Sequence, residues 1–205
     1  MTAWDTFYSE VMEEIRRLKN KDSCETPFFR GENNNSNPLL PTLFTSGINL
    51  QLEGNLYLDY KVYSATLRKP SFHTNSSWEI LYEMRHHNLP TRLLDWSGSF
   101  GVALFFAINN KMFDKNESDN PSCIWILDPY KLNKKSIQTN GILNIGDLAN
   151  YEYSDYLDAQ EKQRRGKLKK GVNLFKNPIA IYPIKSHPRL LSQDGYFTIH
   201  GTNTQ

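Results

Sequence analysis

The chain has 205 residues, 39% of them hydrophobic and 22% charged, with a net charge of +2. That balance fits an ordinary globular fold and excludes a global electrostatic pull towards nucleic acid or anionic membrane. Cys24 and Cys123 have no CxxC partner and no His at ligand spacing, so neither a metal site nor a disulfide framework is expected.

Residues 2–20 place Trp4, Phe7, Tyr8, Val11, Met12, Ile15 and Leu18 at helical spacing, which predicts an amphipathic helix, packed on the domain or offered to a partner. Charges break this stretch throughout, unlike a signal peptide. Nowhere does an apolar run reach the roughly 18 residues of a membrane span, so a cytoplasmic protein without membrane contact is expected. Residues 27–31 read as a short strand ending in Gly, and the Asn-rich run 32–38 as a loop. Residues 50–67 read as a helix. Ser76 and Glu79 form a capping box for another helix, which ends near Asn88 because Pro90 disfavours helical geometry at Leu89. Thr91 to Leu94 is a short strand, and Ser99 caps a helix through Asn109 whose Ala-Leu-Phe-Phe-Ala core is expected to be buried. Cys123 to Leu127 reads as an interior strand, and residues 179–184 and 196–200 as further strands. Helices interspersed with short strands, without a βαβ rhythm, predict an α+β fold of helices around short mixed or antiparallel strands. One domain is expected over 1–205, with residues 1–20 as its N-terminal helix and 130–177 as a variable insertion.

Three patterns concentrate polar chemistry. Residues 85–97 pack Arg85, His86, His87, Arg92, Asp95, Trp96 and Ser97 into one block, too ionisable for pure core and too apolar for a solvated face. Phe29-Arg30-Gly31 precedes it, and Arg189 with Gln193-Asp194-Gly195-Tyr196 follows late in the chain. In that order they resemble the FRG domain family, named for a (Phe/Tyr)-Arg-Gly start. The central block matches the family text from Leu89 to Trp96. It departs from it with Arg85 where Gln is usual, Asn88 where Gly is usual and Ser97 where Thr is usual. The resemblance spans about residues 28–200.

Arg30, a fork suited to phosphate or carboxylate, reads as a ligand contact or as an internal salt bridge to Asp95. His86 aligns with the family's His and is the candidate for acid–base work, or is a structural His bonded to backbone. His86 and His87 cannot face one way on a helix, which argues against a metal pair. Asp95 reads as a buried carboxylate anchoring Arg30 or Arg92. Gln193 and Asp194 are site residues or plain turn residues. Together Arg30, His86, Arg92, Asp95 and Gln193 are expected to converge on one cleft.

The order Arg, then Ser, then a late polar residue is similar to that of ADP-ribosyltransferases. The similarity implies an enzyme using NAD as co-substrate, with Arg30, Arg92, Trp96 and Ser97 on the cofactor and His86, Gln193 and Asp194 in catalysis. Gln193 departs from the carboxylate those enzymes use. The alternative is a non-catalytic module binding a nucleotide or phosphorylated ligand, or nucleic acid through Arg164, Arg165, Lys167, Lys169 and Lys170. No GxGxxG, Walker A, HExxH or GxSxG pattern is present.

Overall fold

The computed structural model describes residues 2–65, 77–109, 120–144, 153, 157, 176–183 and 192–201. The N-terminal helix α1 spans Ala3–Asp22 and begins with a reciprocal capping box between Thr2 and Asp5. Of its apolar stripe, Val11 and Leu18 are buried, whereas Trp4 and Tyr8 stay exposed.

Strand β1 (Phe28–Glu32) is followed by the short helix α2 (Thr42–Thr45), a 3-10 turn at Leu50–Leu52 and helix α3 (Glu53–Ser64). Helix α4 (Ser77–His86) comes next; its expected cap Ser76 lies outside the described residues. The chain leaves α4 through Asn88 at φ 58°, with Leu89 N–H donating to the Met84 carbonyl at 2.9 Å. Asn tolerates this left-handed conformation better than other side-chain-bearing residues. The same geometry accounts for Gly being usual there and for Asn standing in its place.

Strand β2 runs over Leu93–Ser97, two residues later than the sequence suggests at its start, so Asp95 and Trp96 belong to it. Helix α5 (Phe100–Ile108) is capped by Ser99 as expected. Its apolar core is not buried all round: Ala103 and Ala107 are buried, but Phe105 and Phe106 are exposed. Strand β3 (Cys123–Leu127), helix α6 (Pro129–Ile137), strand β4 (Ile179–Ile181) and strand β5 (Gly195–Ile199) follow among the described residues. The five strands form one antiparallel sheet in the order β3-β1-β2-β5-β4. Among the described residues β3 is therefore an edge strand, not the interior strand expected.

Register assigns the faces. Phe29 pairs with Ser97, Asp95 with Phe197 and Arg30 with Trp125. Side chains alternate along a strand, so Phe29, Gly31, Leu93, Asp95 and Phe197 share a first face. Phe28, Arg30, Glu32, Trp96, Tyr196 and Trp125 share the second. Trp78, Leu81 and Met84 of α4 pack on the first face against Leu93, Phe197 and Ile199. Beside them α5 lies so close to β1 that a Cβ on Gly31 would sit 1.8 Å from the Ala103 carbonyl oxygen. On the second face, Phe28, Leu94, Trp96, Ala180 and Tyr196 form a core with Tyr130 and Leu132 of α6. Helix α6 fell in the least legible stretch, although Asp128-Pro129 is a cap followed by Pro at the first helical position; Asp128 indeed accepts from Tyr130 N and Lys131 N. Its buried Asn133 borders the outer edge of β4, donating to the Ala180 carbonyl at 2.9 Å and accepting from Ala180 N at 2.7 Å. The amide covers this edge beside a parallel backbone bridge from Leu143 to Ile181.

Candidate functional site

Arg30 sits mid-strand on the second face. Its Nε donates to Glu32 Oε1 at 2.7 Å, and its Nη2 lies 2.6 Å from the same oxygen. Its Nη1 donates to the Asp95 backbone carbonyl at 2.7 Å. β1 and β2 meet through a single register pair, Phe29 with Ser97, so the guanidinium supplies a link that the ladder does not. Glu32 also accepts from Asn37 Nδ2 at 3.1 Å. Directly across from Arg30 is Trp125, 37% exposed on the edge strand. The salt bridge expected for Arg30 exists, but with Glu32 rather than with the Asp95 carboxylate. Gly31 does not open the backbone to a ligand, because α5 occupies that space.

The Asp95 side chain projects from the opposite face. There Arg85, near the end of α4, donates Nε to Asp95 Oδ2 at 2.9 Å, with Nη2 on the same oxygen. Arg85 Nη1 also reaches Thr42 Oγ1 at 3.3 Å. Asp95 is half-exposed, not the buried anchor expected. His86, next along α4, is half-buried, with its ring 5.3 Å from that of His87.

Arg92 overturns its expected role. It is 2% exposed and donates to Glu53 Oε1 at 2.6 Å, to Glu53 Oε2, and to the His200 and Gly201 carbonyls at 2.6 and 3.0 Å. Tyr153 donates its hydroxyl to the same Glu53, and Arg92 lies 5.7 Å over the Phe44 ring. Its fork therefore ties β2, the first turn of α3 and the end of β5 together, and is not presented to a ligand. Burial, and then Arg92, hold the buried His200 imidazole down to about 4 from its usual 6.5. The unfolded chain protonates His200 below pH 6.5 while the folded one resists. Its stabilising contribution is therefore complete above 6.5 and declines as pH falls towards 4. Urea denaturation across that window should show stability falling with pH, and His200→Gln should flatten the slope.

Trp96 is 7% exposed and donates to Thr198 Oγ1 at 3.0 Å, so its ring is core and not a stacking platform. Ser97 is buried; its hydroxyl donates to the Gln193 carbonyl at 2.7 Å and accepts from Ser99 N at 3.0 Å. Asp194, exposed at φ 43°, accepts from Gly98 N through its carbonyl at 2.8 Å. Its carboxylate lies against Gly98, where a Cβ would be 2.1 Å from Oδ2. After burial, this carboxylate is the largest influence raising the Tyr196 phenol.

The expected single cleft is thus not found. Ser97 meets the Gln193–Asp194 turn at one end of the sheet, Arg92 closes the other end, and Arg30 and Asp95 point from opposite faces. Glu32, Asn37 and Trp125 are the residues that the sequence reading missed. The Arg30–Glu32 spacing of two on a strand, which places both on one face, was the signal available. Arg164, Arg165, Lys167, Lys169, Lys170 and Arg189 lie outside the described residues. Among the described residues there is no group of three metal-ligating side chains, and no helix is long and apolar enough to cross a membrane.

No curated protein and no solved structure matches the chain. The family model of the FRG domain matches residues 25–116, less than half of the chain. The match includes β1, the central block and α5, and stops before β3, α6, β4 and β5.

Proposed function

We propose that this protein, whose residues 25–116 match the family model of the FRG domain, binds a nucleotide or similar phosphorylated ligand on the second face of β1 and β3, without turning it over. One observation carries the reading: Arg30 and Trp125 are cross-strand neighbours on one face, both reachable from solvent. Directly opposed side chains stand about 4.5–5.5 Å apart at Cβ. A guanidinium fork for phosphate thus lies beside an indole surface for a base. The acid–base candidates are elsewhere. Asp95 is paired with Arg85 on the other face, α4 with His86 covers that face, and Asp194 lies at the sheet's end.

A second reading is favoured by the sheet order. β1, β2 and β5, which carry or adjoin the Phe-Arg-Gly, Asp-Trp-Ser and Gln-Asp-Gly patterns, are consecutive neighbours, as an NAD-using transferase would need. Arg30 would then hold a phosphate of NAD, with Asp194 towards the ribose.

Calorimetry with AMP and NAD, paired with an assay for nicotinamide release, separates the two. The binding module predicts AMP binding that weakens by roughly 10–100-fold in Arg30→Ala, the worth of charged hydrogen bonds, with loss also in Trp125→Ala and no nicotinamide released. Nicotinamide release that disappears in both Arg30→Ala and Asp194→Ala would establish the transferase instead. Absence of nucleotide binding with the fold intact would overturn both.

A further inference from the structure

We infer that Glu32 is an internal stand-in for the ligand's anion, and that a phosphate monoester is the ligand charged enough to displace it; this rests on the nucleotide reading above. Nε and Nη2 of Arg30 both converge on Glu32 Oε1, at 2.7 and 2.6 Å. Those are the donors that a phosphate oxygen would use. The third arm, Nη1, is fixed on the Asp95 carbonyl at 2.7 Å, which orients the fork. Glu32 is in turn held by Asn37 at 3.1 Å. Asn37 belongs to a loop anchored on the approach to β3, where Asn35 N donates to the Pro121 carbonyl at 2.9 Å. Across the ladder, burial first and Glu32 second raise the Cys123 thiol, so this carboxylate faces a neutral neighbour there.

A ligand reaches the fork by exchanging places with Glu32, which turns out to solvent and leaves Arg30 Nε, Arg30 Nη2 and Asn37 Nδ2 as donors. A ligand carboxylate offers no more charge than Glu32 and lacks its tether, so it gains nothing by the exchange. Each phosphate of a dinucleotide such as NAD is a diester-like monoanion with the same handicap. A phosphate monoester carries about −1.5 to −2 at pH 7 and gains from the exchange. The class of ligand is therefore a mononucleotide or another compound ending in a monoester phosphate.

The test is calorimetry with AMP, adenosine and NAD on the parent chain, Glu32→Gln and Trp125→Ala. Glutamine keeps the shape of Glu32 and an acceptor for Arg30 but removes the charge. The parent should bind AMP about tenfold more tightly than NAD, and adenosine most weakly, the scale of a charge-assisted contact. Glu32→Gln should strengthen AMP and NAD by the same factor, because the cost of displacing Glu32 is common to both, and leave adenosine, which does not use the fork, unchanged. Trp125→Ala should weaken both while keeping their ratio. Equal affinities for AMP and NAD in the parent, or weaker AMP binding in Glu32→Gln, would overturn the inference while leaving the nucleotide reading standing. Failure of the parent to bind any of the three would remove that reading and the inference with it.

Discussion

Arg92→Ala is expected to destabilise the protein by about 3–5 kcal/mol, the range for stripping one partner from a buried ion pair. Glu53 would be left 4% exposed with its charge uncompensated, and the His200 and Gly201 carbonyls would lose their donor. Asp95→Ala is the contrast. Its carboxylate pairs with Arg85 at a half-exposed position, where such pairs are worth about 0–1 kcal/mol. Urea denaturation of the two variants measures the difference. Replacing both buried partners, Arg92→Met with Glu53→Leu, should recover much of the loss, because the penalty lies in the unpaired charge. A parent-like midpoint for Arg92→Ala would show that this network does not hold β2, α3 and the end of β5 together.

Gly31→Ala is the second large effect. The new methyl would meet the Ala103 carbonyl oxygen at 1.8 Å and the Ala107 nitrogen at 2.7 Å. Both are backbone atoms of α5, so no side chain can swing away and the helix must shift as a body. Overpacking costs about 1–3 kcal/mol and occasionally more, and a rigid obstacle places this change at the upper end. For a chain of this size, that is a fall in Tm of roughly 6–12 °C. A melt within a degree of the parent would contradict the contact between β1 and α5. The glycine of the Phe-Arg-Gly pattern is thereby a packing residue, while its arginine faces the other way towards the candidate site.

What the chain declared in advance was local. The helical spacing of the apolar residues of α1, Ser99 ahead of α5 and the turn beyond Asn88 are signals carried within a few residues. Pairings across the chain were not declared. The small residues Ala103 and Ala107 were visible, and so was Gly31, but nothing local joins a helix to a strand seventy-odd positions away. Arg92 and Glu53 are separated by 39 positions, and an arginine in a polar block looks the same whether it faces a ligand or a buried glutamate. Trp96 is core rather than platform because Phe29 pairs with Ser97, and one step of register would have exchanged the faces of Arg30 and Gly31. The edge position of β3, which exposes Trp125 beside Arg30, follows from the strand order and not from the apolar text of Cys123 to Leu127.

The central claim, that nucleotide binds where Arg30 and Trp125 stand together, is tested most directly by titrating AMP into isotope-labelled protein and following the side-chain N–H signals by NMR. The chain has four tryptophans, and their indole signals separate an edge-strand ring from the buried ones. The account predicts that the Trp125 indole and the Arg30 Nε–H move together as AMP is added, while the indoles of buried Trp78 and Trp96 hold still. Movement of the Ser97, Gly98 and Asp194 amides, with Trp125 and Arg30 unchanged, would contradict it and place the ligand at the end of β2 and β5.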